Sequence, residues 1–374
     1  MSPPGRGVAL IVTPRFPPLL GGMERECALL AERFARMGFQ PVVLTEDFGQ
    51  NLPLRETVRG VLVIRIPSSP ERRLFVQLRV AVGLARGMIA VRGRASFAIV
   101  RTFTLPALVS GLLRRLRLID YPTLVTAETG GAEDDVVALE KRQGSSLMKW
   151  MVSGNDRLNG LCQANVDHMR QFGYPLSRLT TIPNGVETEA WHETSPPTEV
   201  RRFLYLGRID ETKGVLELVE ALGRLRDHGH SPTLMVAGAG PAEDQMKELV
   251  TASGLNGCVS FLGLVPHSEV GDLLSRADCL VLPSWSEGMP LSVLEAATRH
   301  RVLVLSDVGD MRRLFGDSAH IFPPGDIDAL TDCMAQAMTS ESPSTDYEGV
   351  ITQVSIDEVA RRLAQELSPT EAFR

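Results

Sequence analysis

The chain has 374 residues, 44% of them apolar, and a formal net charge of −6. That length suits two domains of ordinary size, each able to bury its own core. No run reaches the roughly 18–20 apolar residues of a membrane-spanning helix, and aromatic residues, at 5%, are too few for a base-stacking platform.

GVALIVTP, residues 7–14, predicts a first buried strand. It lacks the charged segment and long apolar run of a leader peptide, so a cytoplasmic protein is expected. GGMERECALLAERFARMGF, residues 21–39, follows with Cys27, Leu30, Phe34 and Met37 at helical spacing. PVVLTE (41–46) and GVLVIRIP (60–67) predict two more strands. Residues 71–94 form a basic helix-like stretch with Arg72, Arg73, Arg79, Arg86, Arg92 and Arg94 against the single acid Glu71. Its arginines could face an acceptor or an anionic membrane surface. The plainer reading is a sheet-covering helix with solvated arginines. FAIVRTF (97–103), a helix over 105–118 and PTLVTAE (122–128) continue the alternation. Strand–helix alternation with β-branched strands predicts a parallel sheet covered on both faces.

Residues 1–185 carry 24 Lys and Arg against 15 Asp and Glu, a balance of +9; residues 186–374 carry the other 15 against 30, a balance of −15. Opposite signs predict two domains with different tasks. The basic residues are spread arginines, so no nucleic-acid partner is expected. ETEAWHETSPPTEV, residues 187–200, reads as the linker. Beyond it RFLYLGRI, PTLMVAGAGP, VSFLGLV, DCLVLPS and HRVLVLSDV predict strands, each followed by a helical stretch. The five cysteines, Cys27, Cys162, Cys258, Cys279 and Cys333, form no C-x-x-C pair. Free thiols in a reducing compartment, and no structural zinc, are expected.

Three stretches carry chemistry. GRIDETKG, residues 207–214, ends a strand at Gly207 and places Arg208 and Lys213 before the next helix. Two cations beside a helix start suit a diphosphate; the plainer reading pairs them at the surface with Asp210 and Glu211. SWSEGMPLSVLEAA, residues 284–297, holds Glu287 and Glu295 with seven residues between them. Pro290 suits a first helical turn, and the amides of Met289, Leu291 and Ser292 would then favour an anion. Glu287 can accept from sugar hydroxyls. Glu295 can hold a ribose diol, since one carboxylate accepts from two vicinal hydroxyls. A solvated helix terminus would explain Glu287 but not the glycine and proline between. In PPLLGGMERE, Gly21 and Gly22 let the backbone approach a phosphate or sugar. VAGAGP (236–241) lacks the third glycine of a dinucleotide fingerprint, so no nicotinamide site is read.

These stretches, with IPNGVE (182–187) and the string from FLGLVPHSEV to SVLEA, resemble the retaining glycosyltransferases of family 4 in their usual order over nearly the whole chain. The resemblance implies an α/β GT-B fold, two doubly wound Rossmann-like domains facing a cleft. It implies an acceptor-binding domain over 1–188, a donor-binding domain over 189–350, and a C-terminal helix over 351–374 able to cross back to the first domain. Arg208 and Lys213 would hold the donor diphosphate and neutralise charge as the nucleotide leaves. Glu287, beside Gly288, Met289, Pro290 and Leu291, would contact the donor sugar, and Glu295 the ribose. The backbone near Leu264 and Val265 would meet the base, and Gly21, Gly22 and Gly207 would lie by the diphosphate. The sugar would move from a nucleotide such as a UDP- or GDP-sugar to a hydroxyl of a glycan, lipid or small molecule, on one face and with retention. No metal or other cofactor is implied, and residues 71–94 would supply any peripheral contact with the inner face of a membrane.

Two departures stand out. The family often carries a histidine in the first domain, yet none occurs before His168, which reads as a surface residue. At the usual place stands VTAETGG, offering Glu128 and Thr129. Glu128 is expected to take part of that role; the other reading has it capping the next helix. Arg313 stands where an acid is usual after VGD (308–310). A GT-B epimerase, and a degenerate transferase serving as a binding or partner subunit, are the alternatives.

Overall fold

A computed structural model describes residues 6–19, 21–71, 73–130, 134–340 and 344–368. The chain divides into two units, one of Met1–Gly185 with Ile356–Arg374, the other of Val186–Ser355. Residues 187–200 lie within the second. Its first and last residues, Val186 and Ser355, pair in an isolated parallel bridge.

In the first unit β1 (Val8–Val12), α1 (Gly22–Arg36) and β2 (Gln40–Glu46) lead into the hairpin β3 (Arg55–Val58) and β4 (Val61–Ile66). Then come α2 (Leu74–Ala90), β5 (Ala95–Arg101), α3 (Leu105–Arg115), β6 (Thr123–Ala127), α4 (Asp135–Glu140), α5 (Ser145–Val152), β7 (Arg157–Gly160), α6 (Gln163–Gln171) and β8 (Leu179–Thr181). The sheet order is β3-β4-β2-β1-β5-β6-β7-β8. Among the described residues only the β3–β4 pairing of this sheet is antiparallel. VALIV of β1 is buried throughout, as an apolar run between two helical layers must be. One layer is α1 with the C-terminal helix Ile356–Leu367. The other includes α2, α3 and α5. The sequence reading passed over β3. Its turn, Arg59 and Gly60, has φ of 49° and 81°, the two positive values a tight two-residue hairpin requires.

The second unit runs β9 (Arg202–Leu206), α7 (Val215–Asp227), β10 (Thr233–Ala237), α8 (Glu243–Ala252), β11 (Val259–Gly263), α9 (His267–Arg276), β12 (Cys279–Leu282), α10 (Leu291–Ala297), β13 (Val302–Ser306), α11 (Met311–Phe315), β14 (His320–Phe322), α12 (Ile327–Thr339) and α13 (Glu348–Val354). Its sheet is parallel, in the order β11-β10-β9-β12-β13-β14. Winding starts at β9, moves outward to β11, then returns to β12 on the other side. That reversal marks the place where a doubly wound sheet opens a crevice beyond its carboxyl ends. In the first unit the same reversal falls between β1 and β5.

Candidate functional site

β9 and β12 flank the reversal and pair directly, Cys279 against Phe203 and Leu280 against Leu204. Their exits are laced together. Gly214 has φ 66°, and a Cβ there would stand 2.0 Å from the Pro283 carbonyl oxygen; only glycine fits both conditions. The Trp285 amide donates to the Thr212 carbonyl at 2.9 Å. Lys213 Nζ donates to the Ser286 carbonyl at 3.2 Å and to Glu287 Oε1 at 2.9 Å. Ser284 Oγ donates to the same Oε1 at 2.8 Å. Among the described residues Glu287 Oε2 has no hydrogen-bond partner.

Arg208 pairs instead with Asp210 and is 66% exposed. Asp210 also accepts from the Thr212 hydroxyl and amide. The Thr212 hydroxyl and then Arg208 hold its carboxyl down at about 2. Of the two surface pairings the sequence allowed, the one with Asp210 forms, while Lys213 turns to Glu287 rather than Glu211.

Neighbouring loops pack on this pair of exits without side chains between. A Cβ on Gly238 would meet the Gly207 carbonyl at 1.8 Å, and one on Gly240 the Ile209 carbonyl at 2.1 Å. That explains VAGAGP: its glycines seat the β10 exit against the β9 exit. Gly309, at φ 56°, likewise sits 2.6 Å in Cβ terms from the Gly288 carbonyl. Arg313, at the place of the missing acid, pairs with the buried Asp310 at 2.5 Å.

Gly288 and Met289 are buried and Leu291 half-buried. Pro290 is the cap of α10 and not a residue of its first turn, which corrects the sequence reading. Glu295 lies inside α10 and is buried. Leu264, just past β11, is 63% exposed, and Val265 half-buried.

In the first unit Gly21 caps α1 in an extended conformation, and Gly22 opens the helix. Glu128 follows β6 and binds the buried Arg101 at the end of β5 by two bonds, one of 2.8 Å from Nη2 to Oε2. Arg101 Nη2 also meets Glu26 Oε2 at 2.5 Å and Asn184 Oδ1 at 3.1 Å. Two carboxylates thus share one guanidinium. Burial pushes Glu128 up to about 7, against the opposing pull of Arg101. Burial also pushes the neighbouring Cys27 thiol up to about 12, so it stays protonated.

Among the described residues Glu128 caps no helix. Asp134 caps α4, accepting from the Val136 and Val137 amides, and it also accepts from Asn165 Nδ2 at 2.6 Å and meets His168 Nδ1 at 3.0 Å. His168 is therefore a half-buried partner of Asp134, correcting its assignment as a surface residue. Asp135 takes the amides of Phe103, Glu128 and Thr129. Gly131 and Arg72 lie outside the described residues. Sequence reasoning missed Glu26, Arg101, Asp134 and Asp135. An arginine ending the apolar run FAIVR was the signal available for the first pair.

Among the described residues no group of three or more His, Cys, Asp or Glu is placed to hold a metal ion, and no helix is long and apolar enough to cross a membrane.

Residues 21–185 match the family model of the glycosyl transferase 4-like domain, and residues 187–349 that of the glycosyl transferases group 1. The chain is 29% identical over 324 residues to glycogen synthase of Mycobacterium tuberculosis, covering 81% of this chain and 78% of that protein. It is 26% identical over 352 residues to 2-deoxystreptamine N-acetyl-D-glucosaminyltransferase of Streptomyces fradiae, covering 86% and 83%. Sucrose-phosphate synthase from Thermosynechococcus elongatus superposes with a TM-score of 0.79 at 20% identity, over 96% of this chain and 98% of that one. HepE of Anabaena, solved with UDP and glucose, does so with a TM-score of 0.76 at 14% identity, over 97% and 99%.

Proposed function

We infer the reaction of this chain from the family to which it belongs, the family 4 glycosyltransferases of GT-B fold. It is an enzyme that moves a sugar from a nucleotide sugar to an acceptor. The proposal concerns which residues do so and by what course. The observation that supports it is the lacing of the β9 and β12 exits, which fixes an ammonium and a carboxylate at the reversal point of a doubly wound sheet.

Lys213 would face the donor diphosphate, and Arg208, exposed and tied only to Asp210 among the described residues, would turn to it. Both would neutralise charge as it develops on the departing phosphate, without a metal ion. Glu287 is anchored through Oε1, which leaves Oε2 for a hydroxyl of the donor sugar. Glu295 would hold the ribose, and the backbone at Leu264 and Val265 the base. Gly21 and Gly22 would let the start of α1 approach the diphosphate.

The bond from the sugar's anomeric carbon to the phosphate oxygen breaks with its electron pair going to the phosphate. The acceptor oxygen bonds to that carbon on the same face and gives its proton to the leaving phosphate oxygen. The configuration is retained. In this reading Glu128 takes no proton from the acceptor; held by Arg101, it shapes the acceptor side. The same proposal sets the enzyme in the cytoplasm, with residues 71–94 available to a membrane surface. The test is to incubate the purified chain with UDP- and GDP-sugars and candidate acceptors and to read the product's anomeric configuration by NMR. An inverted product would overturn the course, and no transfer from any donor would overturn the site.

A further inference from the structure

α2 is apolar on two sides. Val76, Val80, Leu84 and Met88 are buried against the sheet, yet Leu74, Phe75, Leu78 and Val82 are exposed, Leu74 at 84% and Leu78 at 64%. A helix that is apolar all round belongs in a protein core or against a lipid phase. α3 packs beside α2, and α5 beside α3, all on the same layer of the first unit. α5 adds exposed Leu147 and Trp150. Single exposed apolar residues are ordinary on soluble proteins, but four grouped within the nine residues from Leu74 to Val82 of one helix are not.

The charges on this face have one sign. α2, α3 and α5 contain no Asp or Glu, but they carry Arg79, Arg86, Arg114, Arg115 and Lys149. Arg115 lies over the Trp150 ring at 4.6 Å, a cation beside an aromatic ring at the surface. Three acids at the margin are matched: Glu71 by Arg73, Asp120 by Arg92, and Asp156 by Arg114.

We propose that the face built by α2, α3 and α5 docks this enzyme on an anionic lipid bilayer. Leu74, Phe75, Leu78, Val82, Leu147 and Trp150 would enter the interfacial layer. The arginines would reach outward to lipid phosphates while their stems cover the apolar stripe. A second copy of the chain is the poorer occupant. A two-fold interface would set this patch against itself, arginine facing arginine with no acid on the opposing helices. The inference rests on the transferase reading only in naming a lipid surface as the enzyme's working partner, and its test needs no turnover.

The full chain is sedimented with vesicles of phosphatidylcholine alone and with vesicles containing about one third phosphatidylglycerol, at low salt and at about 0.5 M salt. It is expected in the pellet only with the anionic vesicles at low salt. The double variant Arg79→Gln/Arg86→Gln should lose about thirty-fold in vesicle affinity. Leu78→Glu should abolish binding. Both should melt like the wild type, which separates lost docking from lost folding. Donor hydrolysis should be unchanged in both, so a failed transferase reading would show there and not in the pellet. Equal partition to both vesicle types, insensitive to salt, would overturn the anionic assignment. So would absence from every pellet, whether the chain is then a monomer or a dimer that Leu78→Glu dissociates.

Discussion

Lys213 and Glu287 stand 74 positions apart in sequence and meet through Nζ and Oε1 at 2.9 Å, where the exits of β9 and β12 come together. The contact belongs to a site and not to a core, because both side chains keep some exposure, 22% and 15%. Replacing Lys213 with Ala should therefore cost stability only about 1 kcal/mol. It should cost turnover far more, about 2–4 kcal/mol of transition-state stabilisation, or roughly thirty- to a thousand-fold in kcat/KM. Steady-state kinetics beside a thermal melt separates the two. A variant that melts normally and turns over normally would remove Lys213 from the donor site.

Gly214 and Gly229 form a matched pair of left-handed positions, with φ of 66° and 86°. Around Gly229 nothing lies within 4 Å of an added Cβ, whereas at Gly214 the Pro283 carbonyl lies at 2.0 Å. Gly229→Ala should cost only the backbone conformation, about 1–2 kcal/mol. Gly214→Ala must also push the β12 exit away and should abolish donor turnover. Comparable kinetics in the two variants would show that the close approach has no part in the site.

The Glu26–Arg101–Glu128 cluster makes stability depend on pH. Glu128, raised from 4.5 to about 7, favours the fold while protonated. Its contribution is full below about 4.5 and is lost as pH rises through about 7, up to about 3 kcal/mol. The wild-type melting temperature should carry a falling component across that window, and Glu128→Gln should remove it. Arg101→Leu should be destabilising at neutral pH by about 3–5 kcal/mol, since it leaves the buried Glu26 carboxylate without its guanidinium and the Glu128 carboxyl without its bonds. Parallel pH profiles for wild type and Glu128→Gln would show that Glu128 does not titrate there.

Asp134 serves four donors from two helices. Asp134→Ala removes a helix cap and one of the two acceptors of Asn165 Nδ2, which keeps the Thr129 carbonyl at 2.8 Å, a combined cost of about 2–3 kcal/mol. His168→Ala removes one half-exposed partner and should cost about 1 kcal/mol or less. Urea denaturation of both variants measures the difference. Equal losses would show that the histidine, and not the cap, carries the contact.

Local pattern carried the alternation of strands and helices, because β1 is a short unbroken apolar run buried on both faces and α1 buries the residues that its 3.6 period picks out. The stretches holding Lys213 and Glu287 were also legible, since glycine and proline mark backbone that must turn. What stayed hidden depends on distant partners. Nothing near Glu128 in sequence announces Arg101, 27 residues earlier, or Glu26 and Asn184 beyond it. Without them Glu128 looks like a free carboxylate at a strand exit. His168 looked like a surface residue because its partner, Asp134, is 34 positions away. The α2 stripe was half legible. Its basic residues could be counted, but only packing shows that one of its two apolar sides is left uncovered.

The account turns on whether the β9 and β12 exits bind the donor diphosphate. Isothermal titration of UDP and GDP in the presence of a chelator, into the wild type and into Lys213→Ala, addresses this most directly. The wild type should bind at least one of them without metal, and Lys213→Ala should bind it at least about thirty-fold more weakly, a loss of roughly 2 kcal/mol, with an unaltered melt. Equal affinities in the two proteins would contradict the site described here.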